Sequence, residues 1–276
     1  MTESLTRIQE RQREWALQHK VLTGFTDYQD YLFEPLKPDA QCEYASGDGH
    51  ELESHMYSLI SSSALCCNFF HHWRYNNPNK LCQALHIQGS FLKFNFEAKP
   101  QKPAGIPGKN PNVDVLIASN NHELTAIECK FTEPYQTRSQ GVYASKPLAA
   151  SYFGEYVSVW QTMPRCRELA KRLPHIAEDD VPLRYLAADQ LIKHAVGLLN
   201  TYPWKNWRLV YLWYDDGSDI AKDHRDEIER FIEGIGDDFR FESITYQDLF
   251  SRLCEDLNIG KSEWANYMRR RYFPDR

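Results

Sequence analysis

Asn112-Val113-Asp114-Val115-Leu116-Ile117-Ala118, then the polar turn Ser119-Asn120-Asn121-His122, then Leu124-Thr125-Ala126-Ile127-Glu128-Cys129-Lys130-Phe131 is the stretch on which the reading of this chain turns. Two apolar, β-prone runs around a short polar turn predict an antiparallel hairpin. Side chains alternate across a strand, so Glu128 and Lys130 share one face, while Ile127, Cys129 and Phe131 share the other. A hairpin centred on Asn121 sets Asp114 directly opposite Glu128, with Cβ atoms about 4.5–5.5 Å apart.

Two carboxylates so placed repel each other. Val113, Val115, Ile127 and Cys129 on the opposite face mark the pair as central in a sheet, where charge needs a reason. A divalent cation between Asp114 and Glu128 removes the repulsion, and hard oxygen ligands open to water suit Mg²⁺, with Mn²⁺ as a substitute. Lys130, one pleat along the same face, is placed to orient or deprotonate a water and to steady charge developing on a phosphoryl group. The three residues suit metal-assisted hydrolysis of a phosphodiester. The plainer alternative is an exposed hairpin face decorated with charges.

Outward from the hairpin, the pattern predicts a polar helix over Thr6–Lys20, a Gly-rich turn at Ser46–Gly49, and a long helix from about Glu51 to His71, on which Met56, Ile60, Ala64 and Cys67 recur at helical spacing. A strand over Leu85–Phe96 precedes the hairpin, across a Pro/Gly/Lys loop from Lys99 to Pro111. Thr132–Pro182 is mixed in pattern. Beyond it the sequence predicts a helix from Pro182 to about Asn200, with the proline as its first residue. A strand Trp207–Tyr214, a helix Ile220–Glu233, a strand Phe239–Ile244 and helices Tyr246–Leu257 and Ser262–Tyr272 follow. Helix, three-strand meander, helix, strand, helix, strand is an α/β order: a mixed sheet with helices on its faces. The expected organisation is an N-terminal helical extension over 1–50, a core over 51–257 and a C-terminal helix over 258–276.

The chain has 276 residues, 42% hydrophobic and 25% charged, with 37 Phe, Trp and Tyr together. That is ordinary for a globular protein and excludes disorder over most of the length. No stretch approaches the ~18 apolar residues of a membrane span, and the first twenty residues lack the apolar region of a signal peptide. A cytoplasmic protein is therefore expected. Its seven cysteines contain no CxxC pair, so the cluster Cys66, Cys67, His71, His72, Cys82 and His86 reads as buried thiols followed by surface histidines rather than structural zinc. The net charge of −6 is local: Asp215–Asp256 holds fourteen acidic and five basic residues, and the rest of the chain is slightly basic. Nucleic-acid binding through a local basic rim is compatible with this balance; strong non-specific binding is not expected. No Gly-rich nucleotide-binding motif and no nucleophile elbow occurs, and Trp204–Trp207 and Arg269–Arg271 are best read as core strand and solvated helix end.

The hairpin and its surroundings resemble the PD-(D/E)XK nuclease superfamily, the restriction-endonuclease-like fold. Asp114 is followed after thirteen residues by Glu128-Cys129-Lys130, with Asn112-Val113-Asp114 where the motif often reads Pro-Asp. The segments Ser62–Phe70, Ile127–Tyr135 and Asp189–His194 also resemble a bacterial group of restriction-endonuclease-like proteins, over about Glu51 to Asp248. The resemblance implies a core of helix, three antiparallel strands, helix and strand, and one or two Mg²⁺ ions held by Asp114 and Glu128, with Lys130 catalytic. It also implies a further acid from the first core helix. On that helix Glu53 falls beside Ile60, Ala64 and Cys67, and Glu51 nearly opposite, so Glu53 is expected; Glu97, at the end of the first strand, competes for the role. Gln190 lies in the apolar stripe of the helix after Pro182 and is expected to approach the metal site or its lysine, as a similarly placed glutamine does in branches of the family. His194, in the same stripe, is expected to act farther out or structurally. The activity implied is Mg²⁺-dependent hydrolysis of DNA rather than RNA, and symmetric cleavage of both strands would need a homodimer. The competing reading is a protein that keeps the fold, binds nucleic acid or regulates, and has lost catalysis.

Overall fold

The computed structural model describes residues 2–19, 27–47, 51–136, 144–154, 157–173, 183–204 and 206–274. In chain order the helices α1 (Glu3–Gln18), α2 (Pro38–Ser46), α3 (Ser62–Asn76) and α4 (Pro78–Ala84) lead into strands β1 (Phe91–Ala98), β2 (Val113–Ser119) and β3 (Glu123–Lys130). Then come α5 (Pro164–Arg172), α6 (Ala188–Thr201), β4 (Asn206–Trp213), α7 (Asp219–Ile235), β5 (Arg240–Thr245), α8 (Tyr246–Cys254), α9 (Leu257–Gly260) and α10 (Glu263–Arg271).

The five strands form one sheet in the order β1-β2-β3-β4-β5. The first three pair antiparallel, and β4 and β5 join in parallel. A parallel neighbour needs a crossover, which α5 and α6 supply before β4 and α7 supplies before β5. This is the α/β sheet flanked by helices that the element order predicted, arranged as a restriction-endonuclease-like core. Helices cover the middle of the sheet, so β3 is buried along its length except at Lys130, which is half-buried. Among the described residues no helix is long and apolar enough to cross a membrane.

Three expected elements differ. The long helix from Glu51 does not form: Glu51–Ile60 is a run of turns with a short 3-10 turn at His55–Tyr57, and α3 starts at Ser62. Ser61 stops it, its hydroxyl accepting the Ala64 N–H at 3.0 Å as an N-cap. Met56 is buried all the same, which mimicked a helical stripe. The strand expected from Leu85 starts only at Phe91, because Asn77 caps α4, Pro78 opens it, and left-handed residues at His86 and Gly89 turn the chain. The helix expected from Pro182 starts at Ala188; Pro182 itself lies outside the described residues, as do positions 48 and 49 of the Gly-rich turn. Before Ala188 the N–H groups of Arg184, Tyr185 and Leu186 donate to the Glu227 carboxylate at 2.7, 2.8 and 2.8 Å, an arrangement that replaces helical hydrogen bonding.

Candidate active site

The hairpin register places the two acids. Val115 pairs with Ile127 and Leu116 with Ala126, so the next pair along sets Asp114 against Glu128, as the hairpin centred on Asn121 requires. Asp114 Oδ2 accepts the Cys129 N–H at 2.6 Å. On the other strand Lys130 Nζ lies 2.5 Å from Glu128 Oε1. His194, on the buried side of α6, brings Nε2 to 2.9 Å from Glu128 Oε2. That approach lacks hydrogen-bond alignment, so Oε2 keeps an open acceptor position.

Around this pair a cavity of about 600 Å³ opens between the sheet, the start of α3 and the start of α6. Glu51, Glu97, Asp114, Glu128 and Glu133 all line it, and Lys130 is the one lysine or arginine among the described residues that line it. Of the residues expected from sequence, Asp114, Glu128, Lys130, Glu97 and Gln190 are thus brought together. Glu53 is not among them. It is exposed, in the turn that replaces the expected helix, and Glu51 takes the inward position. Glu51 is buried and accepts a hydrogen bond from the Ser63 hydroxyl, and its Oε1 lies 3.2 Å from His55 Nδ1. The preference for Glu53 followed from the helical phase, which has no meaning where the helix does not form.

Glu97 enters from the end of β1 in a left-handed conformation, φ 50°. A side chain held there costs about 1–3 kcal/mol, a strain that persists only where the surroundings impose it. Asn112 donates to its Oε2. A Cβ on Gly47 would lie 2.9 Å from the same oxygen, so the close approach of α2's end depends on glycine.

Two residues were not expected at the site. Glu133, just beyond β3, accepts the Ser62 hydroxyl at 2.7 Å on each oxygen and the Phe131 N–H at 2.9 Å on Oε2. His194 touches Glu128 itself rather than acting farther out. Periodicity carries no signal for Glu133, which lies in the irregular stretch after the strand; a carboxylate three positions beyond the lysine was its only trace.

The electrostatics follow from crowding. Burial, then the Glu128 carboxylate, pushes Asp114 well above the usual carboxylate range. Burial also pushes Glu97 up to about 7; the Asn112 amide opposes this, and Glu51 and Glu128 add to it. For Glu128 burial again opposes ionisation, but Lys130 and then His194 outweigh it and hold the carboxyl down to about 2. Burial disfavours the Lys130 ammonium, yet Glu128, Glu133 and Asp114 keep it charged well beyond its ordinary range.

This donor set fits a hard divalent cation in chemistry and in charge: several carboxylates face one ammonium, and Glu128 Oε2 is a buried oxygen without a hydrogen-bond partner among the described residues. The fit is not preassembled. Among the described residues no three His, Cys, Asp or Glu side chains already form a metal-holding group. Elsewhere, Cys66, Cys67 and Cys82 are buried, His71 bonds Glu34 at 2.9 Å and the Lys37 N–H at 3.1 Å, and His86 lines a separate surface cleft.

No curated protein and no solved structure matches the chain. A family model does, over residues 12–273: the family REase-ARP, described as Restriction Endonuclease associating with ARP. The match takes in α10 and the second half of α1 from Gln12 onward, as well as the sheet and the carboxylate cavity. The chain belongs to this restriction-endonuclease-like family.

Proposed function

We propose that the protein is a divalent-metal-dependent nuclease that hydrolyses phosphodiester bonds in DNA. The observation that carries this reading is the meeting of Asp114, Glu128 and Lys130 at the floor of one carboxylate-rich cavity, in a chain of the restriction-endonuclease-like family. Asp114 and Glu128 would hold Mg²⁺ or Mn²⁺, with Glu97 and Glu51 adjoining. A bound cation would act as a Lewis acid on the phosphoryl oxygen and acidify a coordinated water. The protein's own part is to supply the anionic floor, to fix Asp114 through the Cys129 N–H, and to bring the Lys130 ammonium to the negative charge that grows on the phosphoryl group. Gln190, in the first turn of α6, faces the same cavity and is suited to contact the lysine or the scissile phosphate. The family description adds association with ARP to this reading.

A second reading, a non-catalytic nucleic-acid-binding protein on the same fold, draws on one observation: Lys130 and His194 already occupy the neighbourhood of both Glu128 oxygens. The two are separated by incubating the purified protein with plasmid, linear duplex and single-stranded DNA and with RNA, in Mg²⁺, Mn²⁺ or EDTA. The nuclease reading expects cleavage of DNA in either metal and none in EDTA. Retention of every DNA substrate without cleavage in both metals would favour the second reading.

A further inference from the structure

The cavity holds its cation problem in a particular way. Glu128 is the carboxylate best placed to take a metal, and its Oε1 is bonded to the Lys130 ammonium at 2.5 Å. An ammonium and a divalent cation on the same carboxylate repel each other, so the lysine must give way before a metal can settle there. It cannot simply retreat into the protein, because its surroundings are buried and an unpaired ammonium there is costly. It needs a second anion within the sweep of its flexible side chain.

Glu133 meets that need. It lines the same cavity as Lys130, and its Oε2 takes the N–H of Phe131, the residue next to Lys130 in the chain. It is also held in place beforehand: the Ser62 hydroxyl and the Phe131 N–H fix its two oxygens from the side of α3 and the end of β3. A carboxylate already fixed on the wall of that cavity costs little further ordering when the ammonium arrives. A purely structural Glu133, tying β3 to α3, would use these same bonds, and only its dependence on Lys130 separates the two roles.

Building on the nuclease reading of this site, we propose that Lys130 is a resident cation that moves from Glu128 to Glu133 when metal binds, with Glu133 the positioning residue that receives it. In this arrangement Lys130 balances the Glu128 charge without metal, and with metal it stands beside the phosphoryl group instead of on a ligand. Glu133 acts on the metal only through the lysine.

The test is a double-mutant cycle on Mn²⁺ affinity, measured by calorimetry on the full chain: wild type, Glu133→Gln, Lys130→Met and the double variant. Glu133→Gln is expected to weaken Mn²⁺ binding about tenfold, as loss of an outer partner of a metal ligand does. Lys130→Met, which removes the competitor, is expected to tighten it. In the Lys130→Met background Glu133→Gln should change the affinity by less than about twofold, since the residue through which it acts is gone. Glu133→Asp, which keeps the charge but draws it back from Ser62, should show the same dependence on Lys130 and guards against loss of the fold in the glutamine variant. A loss as large in the Lys130→Met background as in the wild-type background, or no loss in either Glu133 variant, would overturn the proposal and leave the nuclease reading standing. Failure of the wild type to bind Mn²⁺ at all would overturn both.

Discussion

A carboxyl group that burial drives to keep its proton is a poor ligand until a cation arrives, and Asp114 and Glu97 are both in that state. The value of about 7 for Glu97 lies above the 4.5 of an ordinary glutamate. Proton binding therefore favours the fold: this contribution is complete below about pH 4.5 and is lost as pH rises through 7. Asp114 shifts in the same direction. Without metal, the melting temperature should fall between about pH 6 and pH 8, and saturating Mn²⁺ should raise it more at pH 8 than at pH 6. A metal-free melting temperature that rises over this range would contradict the assignment, as would an equal gain at both pH values. Of the residues behind this argument, Asp114, Glu128 and Lys130 were legible in the sequence because strand alternation and a tight turn are local rules. Glu51 was not. Its selection over Glu53 depended on where a helix begins, and a serine N-cap ten residues downstream decided that. Glu133 was illegible for another reason: it lies in a segment without periodicity and is placed by bonds to α3, far away in sequence.

At the scale of elements, the three-strand meander, β4, β5, α7, α8 and α10 were all present in the sequence pattern, with ends displaced by only a few residues apart from the start of β1, which lies six residues later than expected. The elements misread were those whose limits are set by caps and turns, local for α3 and β1 and tertiary for α6. The start of α6 is the clearest case, because Glu227, buried on α7, takes the N–H groups of Arg184, Tyr185 and Leu186 and so fixes the chain just ahead of Gln190. Glu227→Ala leaves those donors without their partner. At about 1–3 kcal/mol for each buried unsatisfied group, partly relieved by water, the expected loss is roughly 2–4 kcal/mol in a urea titration. Glu227→Gln, which keeps an acceptor oxygen, should lose less. A cost below ~0.5 kcal/mol for the alanine variant would show that α6 is positioned by packing alone.

Over the whole molecule, the helices at the two ends of the described chain close on each other and on the sheet. Arg271 of α10 is fully buried: its guanidinium lies 4.3 Å from the centre of the Trp15 ring, donates to Gln12 Oε1 at 3.1 Å and reaches Tyr267 Oη at 2.6 Å. Leu5, Ile8, Met268 and Tyr272 belong to the same apolar core as the strands. Arg271→Met should therefore cost roughly 2–4 kcal/mol, through lost cation–π contact and stranded acceptors. It should lower the stability of the sheet and of α1 together, in one transition; a separate early transition confined to the end helices would contradict that coupling. Composition gave no hint of this closure, since Arg271 reads in sequence as one of three arginines at a helix end. The central claim is that Asp114 and Lys130 carry phosphodiester cleavage on this fold, and it is tested most directly by single-turnover DNA cleavage in Mn²⁺. Wild type should be compared with Asp114→Asn and Lys130→Met, each shown to be folded. The account predicts cleavage by the wild type and a loss of at least about 10²–10³-fold in both variants. Variants that cleave at the wild-type rate would contradict it.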